Sequence, residues 1–95
     1  MEEPKINIII ADDNKRFRDM LKDYIMNQND MVVIGIAEDG LDALRLIQEK
    51  KPDLVILDMI MPQLDGLEVL DRLNAMNLDP MPRIIVLSAV SNDKI

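Results

Sequence analysis

Four short runs of aliphatic residues recur along the chain, and between them the apolar period changes from that of a strand to that of a helix. The first, Ile6-Asn7-Ile8-Ile9-Ile10-Ala11, hardly alternates, as expected of a strand buried on both faces. Val32-Val33-Ile34-Gly35-Ile36, Leu54-Val55-Ile56-Leu57 and Ile84-Ile85-Val86-Leu87 supply the others. Phe17, Met20, Leu21, Tyr24 and Ile25 recur at helical spacing, which predicts an amphipathic helix over 15–27 with Asn14 as its cap. Gly40, Ala43, Leu44 and Ile47 stripe a second helix that stops near Lys50-Lys51-Pro52. Val69, Leu70 and Leu73 stripe a third, opened by an Asp65…Glu68 capping pair. Strands alternating with helices across short connections imply a parallel α/β sheet with helices on both faces.

The polar residues at the strand ends narrow what such a sheet does. Strand one ends in Asp12-Asp13, strand three in Asp58 and strand four in Ser88. Open parallel sheets place their ligand sites at the carboxyl ends of the strands. If strands one and three are neighbours, three carboxylates converge there, and like charges that close require a cation or protons. An all-oxygen donor set that keeps several waters suits Mg²⁺, with Ca²⁺ or Mn²⁺ as substitutes. With the repulsion neutralised, Asp58 can act as a nucleophile toward a phosphoryl group, and Ser88 can meet the transferred oxygens. Each signal alone has a plainer reading: acidic pairs form turns, a strand-end Asp caps a loop, and a lone Ser is a loop hydroxyl. Their joint placement at one sheet edge is what gives them weight.

Composition removes several alternatives. The 95 residues, 48% of them hydrophobic, suffice for one small domain with a real core. There is no Cys, so no disulfide and no thiolate metal site, and the chain reads as cytoplasmic. There is no His, which removes the commonest general base and any phosphohistidine role for the chain itself. A formal charge of -7 argues against nucleic-acid binding by these residues, because phosphate contacts need clustered cations. No apolar stretch approaches a membrane span.

Taken together, the acidic pair Asp12-Asp13, Asp58 with its loop Met61-Pro62-Gln63-Leu64-Asp65-Gly66, and Ser88 resemble the receiver domains of two-component response regulators. That resemblance implies a flavodoxin-like, doubly wound parallel sheet and a Mg²⁺-dependent phosphoacceptor. By position, Asp13 would bind the metal directly and Asp12 directly or through water. Asp58 would be both ligand and phosphoacceptor, the backbone carbonyl of Ile60 would complete the protein ligands, and Ser88 would contact the phosphoryl group and serve as the switch hydroxyl. The implied partners are a histidine kinase or histidine phosphotransferase, with DNA reached only through an output domain absent from this chain.

The family pattern also includes a fifth strand ending in a Lys, and fourth and fifth helices, which these residues do not supply. Lys94 comes too soon after Ser88 to be that Lys. The expectation is therefore a single receiver domain over 1–95, incomplete at its C-terminus: strands one to four and helices one to three present, strand five and helices four and five missing. Strand four would then be an apolar edge, and the chain would associate through it as a dimer or domain-swapped oligomer. Two other readings stand beside this one. An interaction module with an inactive site would bind no Mg²⁺. A phosphohydrolase of the haloacid-dehalogenase type would want a second Asp where Ile60 stands, so the chain is expected to catalyse at most its own phosphorylation and dephosphorylation.

Overall fold

The computed structural model of the protein describes residues 4–87. Their elements run β1 (Ile6–Ala11), α1 (Lys15–Met26), β2 (Met31–Ala37), α2 (Gly40–Lys50), β3 (Leu54–Asp58), α3 (Gly66–Met76) and β4 (Arg83–Leu87). The strands form a parallel sheet in the order β2-β1-β3-β4. This is the flavodoxin-like arrangement the alternating pattern implies, and the predicted boundaries hold to within a residue or two. Ser88 lies outside the described residues.

Strand alternation divides the core between the two faces of the sheet. Ile9, Ala11, Val55 and Leu57 face α2 and α3, where they pack with Ala43, Leu44, Ile47, Val69 and Leu73. Ile8, Ile10 and Ile56 face the other way and pack with Ile25 of α1. Ile8, Ile9 and Ile10 are all fully buried, each contributing about 1.5–3 kcal/mol through the water it excludes. The unbroken aliphatic character of β1 is thereby explained: it is a central strand covered on both sides.

Each helix starts on a side-chain cap. Asn14 accepts the Phe17 N–H, Asp39 the Asp42 N–H and Asp65 the Glu68 N–H, satisfying amides that the helices leave without partners. At the other ends Lys51 and Asn77 adopt the left-handed conformation that closes α2 and α3.

One expectation from periodicity is corrected. Met20 and Tyr24, read as part of the core stripe of α1, are exposed. The inward face is instead Arg18, the half-buried Leu21 and Ile25, spaced by three and then four residues and rotated from the predicted stripe by one position. The apolar pattern misplaced the face because α1 presents an arginine inward.

Two glycines set how closely the helices approach the sheet edge. A Cβ at Gly40 would collide with the carbonyl oxygen of Leu64, and one at Gly66 would lie 2.5 Å from that of Asp58. Neither glycine has a positive φ, so both serve close approach and not turning. Gly40→Ala must push α2 off backbone atoms that cannot rotate away. Such overpacking costs about 1–3 kcal/mol, or roughly 5–20 °C in thermal midpoint for a domain of this size. Thermal melts followed by far-ultraviolet circular dichroism should show that fall, and an unchanged midpoint would contradict the contact.

Candidate functional site

Strand pairing brings the acidic residues together. Ala11 pairs with Leu57, the residues immediately before Asp12 and Asp58, and both aspartates share the parity of Ile10 and Ile56. They therefore leave the sheet at the same level toward the same face. Asp13 follows in the β1–α1 loop. One carboxylate oxygen from each of Asp12, Asp13 and Asp58 lies within 4.8 Å of the others. Opposed ligands on an octahedral Mg²⁺ stand about 4.2 Å apart, given bond lengths of about 2.0–2.1 Å. The three aspartates are close enough to share such an ion once their side chains draw in around it, and their hard oxygen atoms match its preference.

The surrounding bonds fix each group. The Asp12 N–H donates to the Ala37 carbonyl, extending the β1–β2 ladder past the strand end. The Asn14 N–H donates to Asp12 Oδ1 at 2.9 Å, which holds the carboxylate over its own loop. The Met59 N–H donates to the Leu87 carbonyl, so β4 is bound to the chain one residue past Asp58. The Ile60 N–H lies 3.4 Å from Asp58 Oδ1, a long contact.

Asp12 and Asp58 are both buried, and burial holds the Asp58 carboxyl above its ordinary value. The negative charges of Asp12 and Asp13 push it further in that direction, while the N–H groups of Ile60 and Met59 oppose the rise. A buried, crowded carboxylate of this kind is stabilised by a cation more than an exposed one would be.

The loop leading from Asp58 to α3 is tightly constrained. The Leu64 N–H donates to the Pro62 carbonyl at 2.8 Å, which closes a three-residue γ-turn with Gln63 at φ 72°. A residue with a side chain in that conformation carries about 1–3 kcal/mol of strain. The Gly66 N–H donates to the Met59 carbonyl and closes the loop onto the strand end.

A cavity of about 520 Å³ opens above the three carboxylates. Phe17, Ile60 and Leu87 give it an apolar wall, and Asn14 sits on its rim. Of the residues expected from the sequence, Asp12, Asp13 and Asp58 come together and Ile60 lines the same cavity. Leu87, the neighbour of Ser88, lines it as well. Three features escaped the sequence reading: the buried Arg18, the strained Gln63 and the apolar contribution of Phe17. Arg18 shares a helical face with Leu21 and Ile25, but apolar periodicity assigns a charged residue to the outside. Gln63 carried no signal, since a positive φ at glutamine is not written in residue type.

Comparison with known proteins agrees with this geometry. Residues 8–95 match the response regulator receiver domain family. The response regulator domain of Thermotoga maritima CheB is 36% identical and superposes with a TM-score of 0.83, over 94% of this chain and 64% of that one. The Francisella response regulator 1452 receiver domain is 32% identical with a TM-score of 0.81, over 95% of this chain and 72% of that one. A DNA-binding response regulator of the LuxR family from Staphylococcus aureus is 31% identical with a TM-score of 0.82, over 94% and 72%. The chain thus spans a little under two thirds of the length of the Thermotoga domain. By sequence match, fold and the gathering of acidic residues at the sheet edge, the chain belongs to the response regulator receiver domain family, the phosphoryl acceptors of two-component signalling.

Proposed function

We propose that Asp58 accepts a phosphoryl group from a phosphohistidine partner, a histidine kinase or histidine phosphotransferase, in a Mg²⁺-dependent transfer. The observation that carries this reading is the convergence of Asp12, Asp13 and a buried Asp58 on one small volume. An Asp58 oxygen attacks phosphorus, the P–N bond to the donor imidazole breaks, and the imidazole nitrogen takes up a proton. Asp12, Asp13, Asp58 and the backbone carbonyl of Ile60 would hold the ion. When bound, Mg²⁺ would offset the carboxylate repulsion and the charge gathering on the phosphoryl oxygens. Phe17, Ile60 and Leu87 would set apolar surface beside the acyl phosphate. Ser88 contacts the phosphoryl group and acts as the switch hydroxyl.

In the intact protein we place this receiver ahead of a DNA-binding output domain, in a cytoplasmic regulator of sporulation. In support, the segments Ala11-Asp12-Asp13-Asn14, Leu57-Asp58-Met59-Ile60-Met61-Pro62 and Pro82-Arg83-Ile84-Ile85-Val86-Leu87-Ser88-Ala89-Val90 resemble the sporulation master regulator of endospore-forming bacteria. A DNA-binding regulator also stands among its structural relatives. No described helix is long and apolar enough to cross a membrane.

Among the described residues the outer side of β4 has no neighbouring strand, and Ile85 and Val86 are exposed along it. An apolar edge of that kind pairs readily with another chain. The 95-residue chain is expected to self-associate, and sedimentation velocity that finds only a compact, cooperatively melting monomer would refute this.

Incubation with Mg²⁺ and acetyl phosphate should add one phosphoryl group, seen by intact-mass spectrometry, as acetate leaves and Asp58 gains the P–O bond. Asp58→Asn should abolish the gain. A phosphate that survives that substitution, or wild type that never acquires one, counts against the reading.

The raised Asp58 value also predicts a stability effect with a definite sign. A carboxyl whose folded value lies above the 3.8 of a free Asp stabilises the fold when protonated. That contribution is complete below 3.8 and is lost as pH rises through the folded value. Without metal at neutral pH, the ionised Asp58 therefore burdens the fold, and Asp58→Asn should melt higher than wild type. The gap should close as pH falls below the ordinary carboxylate range, and added Mg²⁺ should raise the wild-type midpoint alone. Equal melting of the two proteins at neutral pH would show that Asp58 is not strained by its surroundings.

A further inference from the structure

The described residues bury three charged side chains: Asp12, Asp58 and Arg18. Two belong to the acidic site. The third comes from α1 and is 6% exposed, so it is as deeply placed as the carboxylates. Its NH1 group donates to the main-chain carbonyl of Asp12 at 2.9 Å. Its NH2 group lies 3.4 Å from Glu38 Oε1, in the loop after β2. Its Nε is buried with no acceptor.

A buried cation with an unengaged donor costs stability that an aliphatic side chain of similar length would not. Packing alone therefore does not account for an arginine here. What an aliphatic chain could not do is hold a carbonyl oxygen. The Asp12 residue is otherwise fixed by its N–H to Ala37 and by the Asn14 N–H to its carboxylate. The Arg18 bond to its carbonyl adds the third point and stops the peptide between Asp12 and Asp13 from rotating. Through Glu38 the same guanidinium reaches the loop that leads into Gly40, which rests on Leu64 of the loop following Asp58.

We propose that Arg18 is a positioning residue for the metal site: it clamps the Asp12 main chain, ties it to the β2–α2 loop, and so sets the direction in which Asp12 and Asp13 present their carboxylates. The inference rests on the reading that Asp12, Asp13 and Asp58 hold Mg²⁺. Arg18 itself touches neither ion nor phosphate. It acts one bond away, as groups behind metal ligands commonly do.

The test is isothermal titration of Mg²⁺ into metal-free wild type, Arg18→Met, Arg18→Lys and Glu38→Ala, with a metal-free thermal melt of each. Arg18→Met should bind Mg²⁺ about tenfold more weakly, in line with the loss of a partner behind the ligands, while its metal-free midpoint holds or rises. Arg18→Lys keeps a donor for the carbonyl and should recover most of the affinity. Glu38→Ala, which removes an exposed side chain, should give a smaller weakening. Affinity unchanged in Arg18→Met overturns the proposal, as does affinity lost equally in the Lys and Met variants. Should Arg18→Met fail to fold, Glu38→Ala decides: unchanged affinity overturns the tie between the loops, and weakened affinity with an intact melt supports it. Wild type that binds no Mg²⁺ overturns both this inference and the metal reading beneath it, whereas binding that ignores Arg18 overturns this inference alone.

Discussion

Parallel pairing of β1 with β3 forces carboxylates into a volume where they repel one another, and the rest of the site answers that repulsion. The register sets Ala11 against Leu57, so Asp12 and Asp58 leave the sheet side by side. Both are largely buried, so each charge also loses part of its hydration. Their charge is met by N–H groups that converge on them, from Asn14 for Asp12 and from Ile60 for Asp58. Those bonds offset only part of the cost, as the upward displacement of the Asp58 value indicates. A fold that concentrates negative charge in this way is set to respond to a cation, since the binding energy includes relief of a strain already present.

The fold was legible from hydrophobic period because both central strands are buried on two faces. Ile8, Ile9 and Ile10 must all be apolar when helices cover both sides of the strand. The caps Asn14 and Asp65 were legible for a similar reason, since few residue types satisfy an orphaned amide. The α1 face was not. Periodicity reads polar residues as outward, and Arg18 points inward because a main-chain carbonyl inside the fold needs a donor. Met20 and Tyr24 were drawn into the stripe only because they are apolar, and apolar residues are common on surfaces.

Three aspartates of the site were legible because strand-end carboxylates stand out against aliphatic runs. The geometry of the loop after Asp58 was not, since it depends on main-chain conformation. Pro62 fixes its own φ, and Gly66 permits either a tight bend or close helix packing. The structure places the left-handed conformation at Gln63 and uses Gly66 to bring α3 against the strand end. A glycine can serve either purpose, and the sequence does not say which.

That division of labour has a consequence for how the site is held. Gly66 touches the carbonyl of Asp58, and Gly40 touches that of Leu64, so α3 and α2 rest on the backbone of the β3–α3 loop. Side-chain contacts can be traded among rotamers, whereas backbone contacts at these distances cannot. The strained turn at Gln63 persists because the Gly66 N–H bond to the Met59 carbonyl ties the two ends of its loop together, and α2 presses on Leu64 within it. The position of Asp58 is therefore set by three elements at once: by β3 through the sheet, by α3 through Gly66, and by α2 through Leu64. A displacement of either helix N-terminus must move the loop that carries Ile60, and with it the N–H that faces the Asp58 carboxylate.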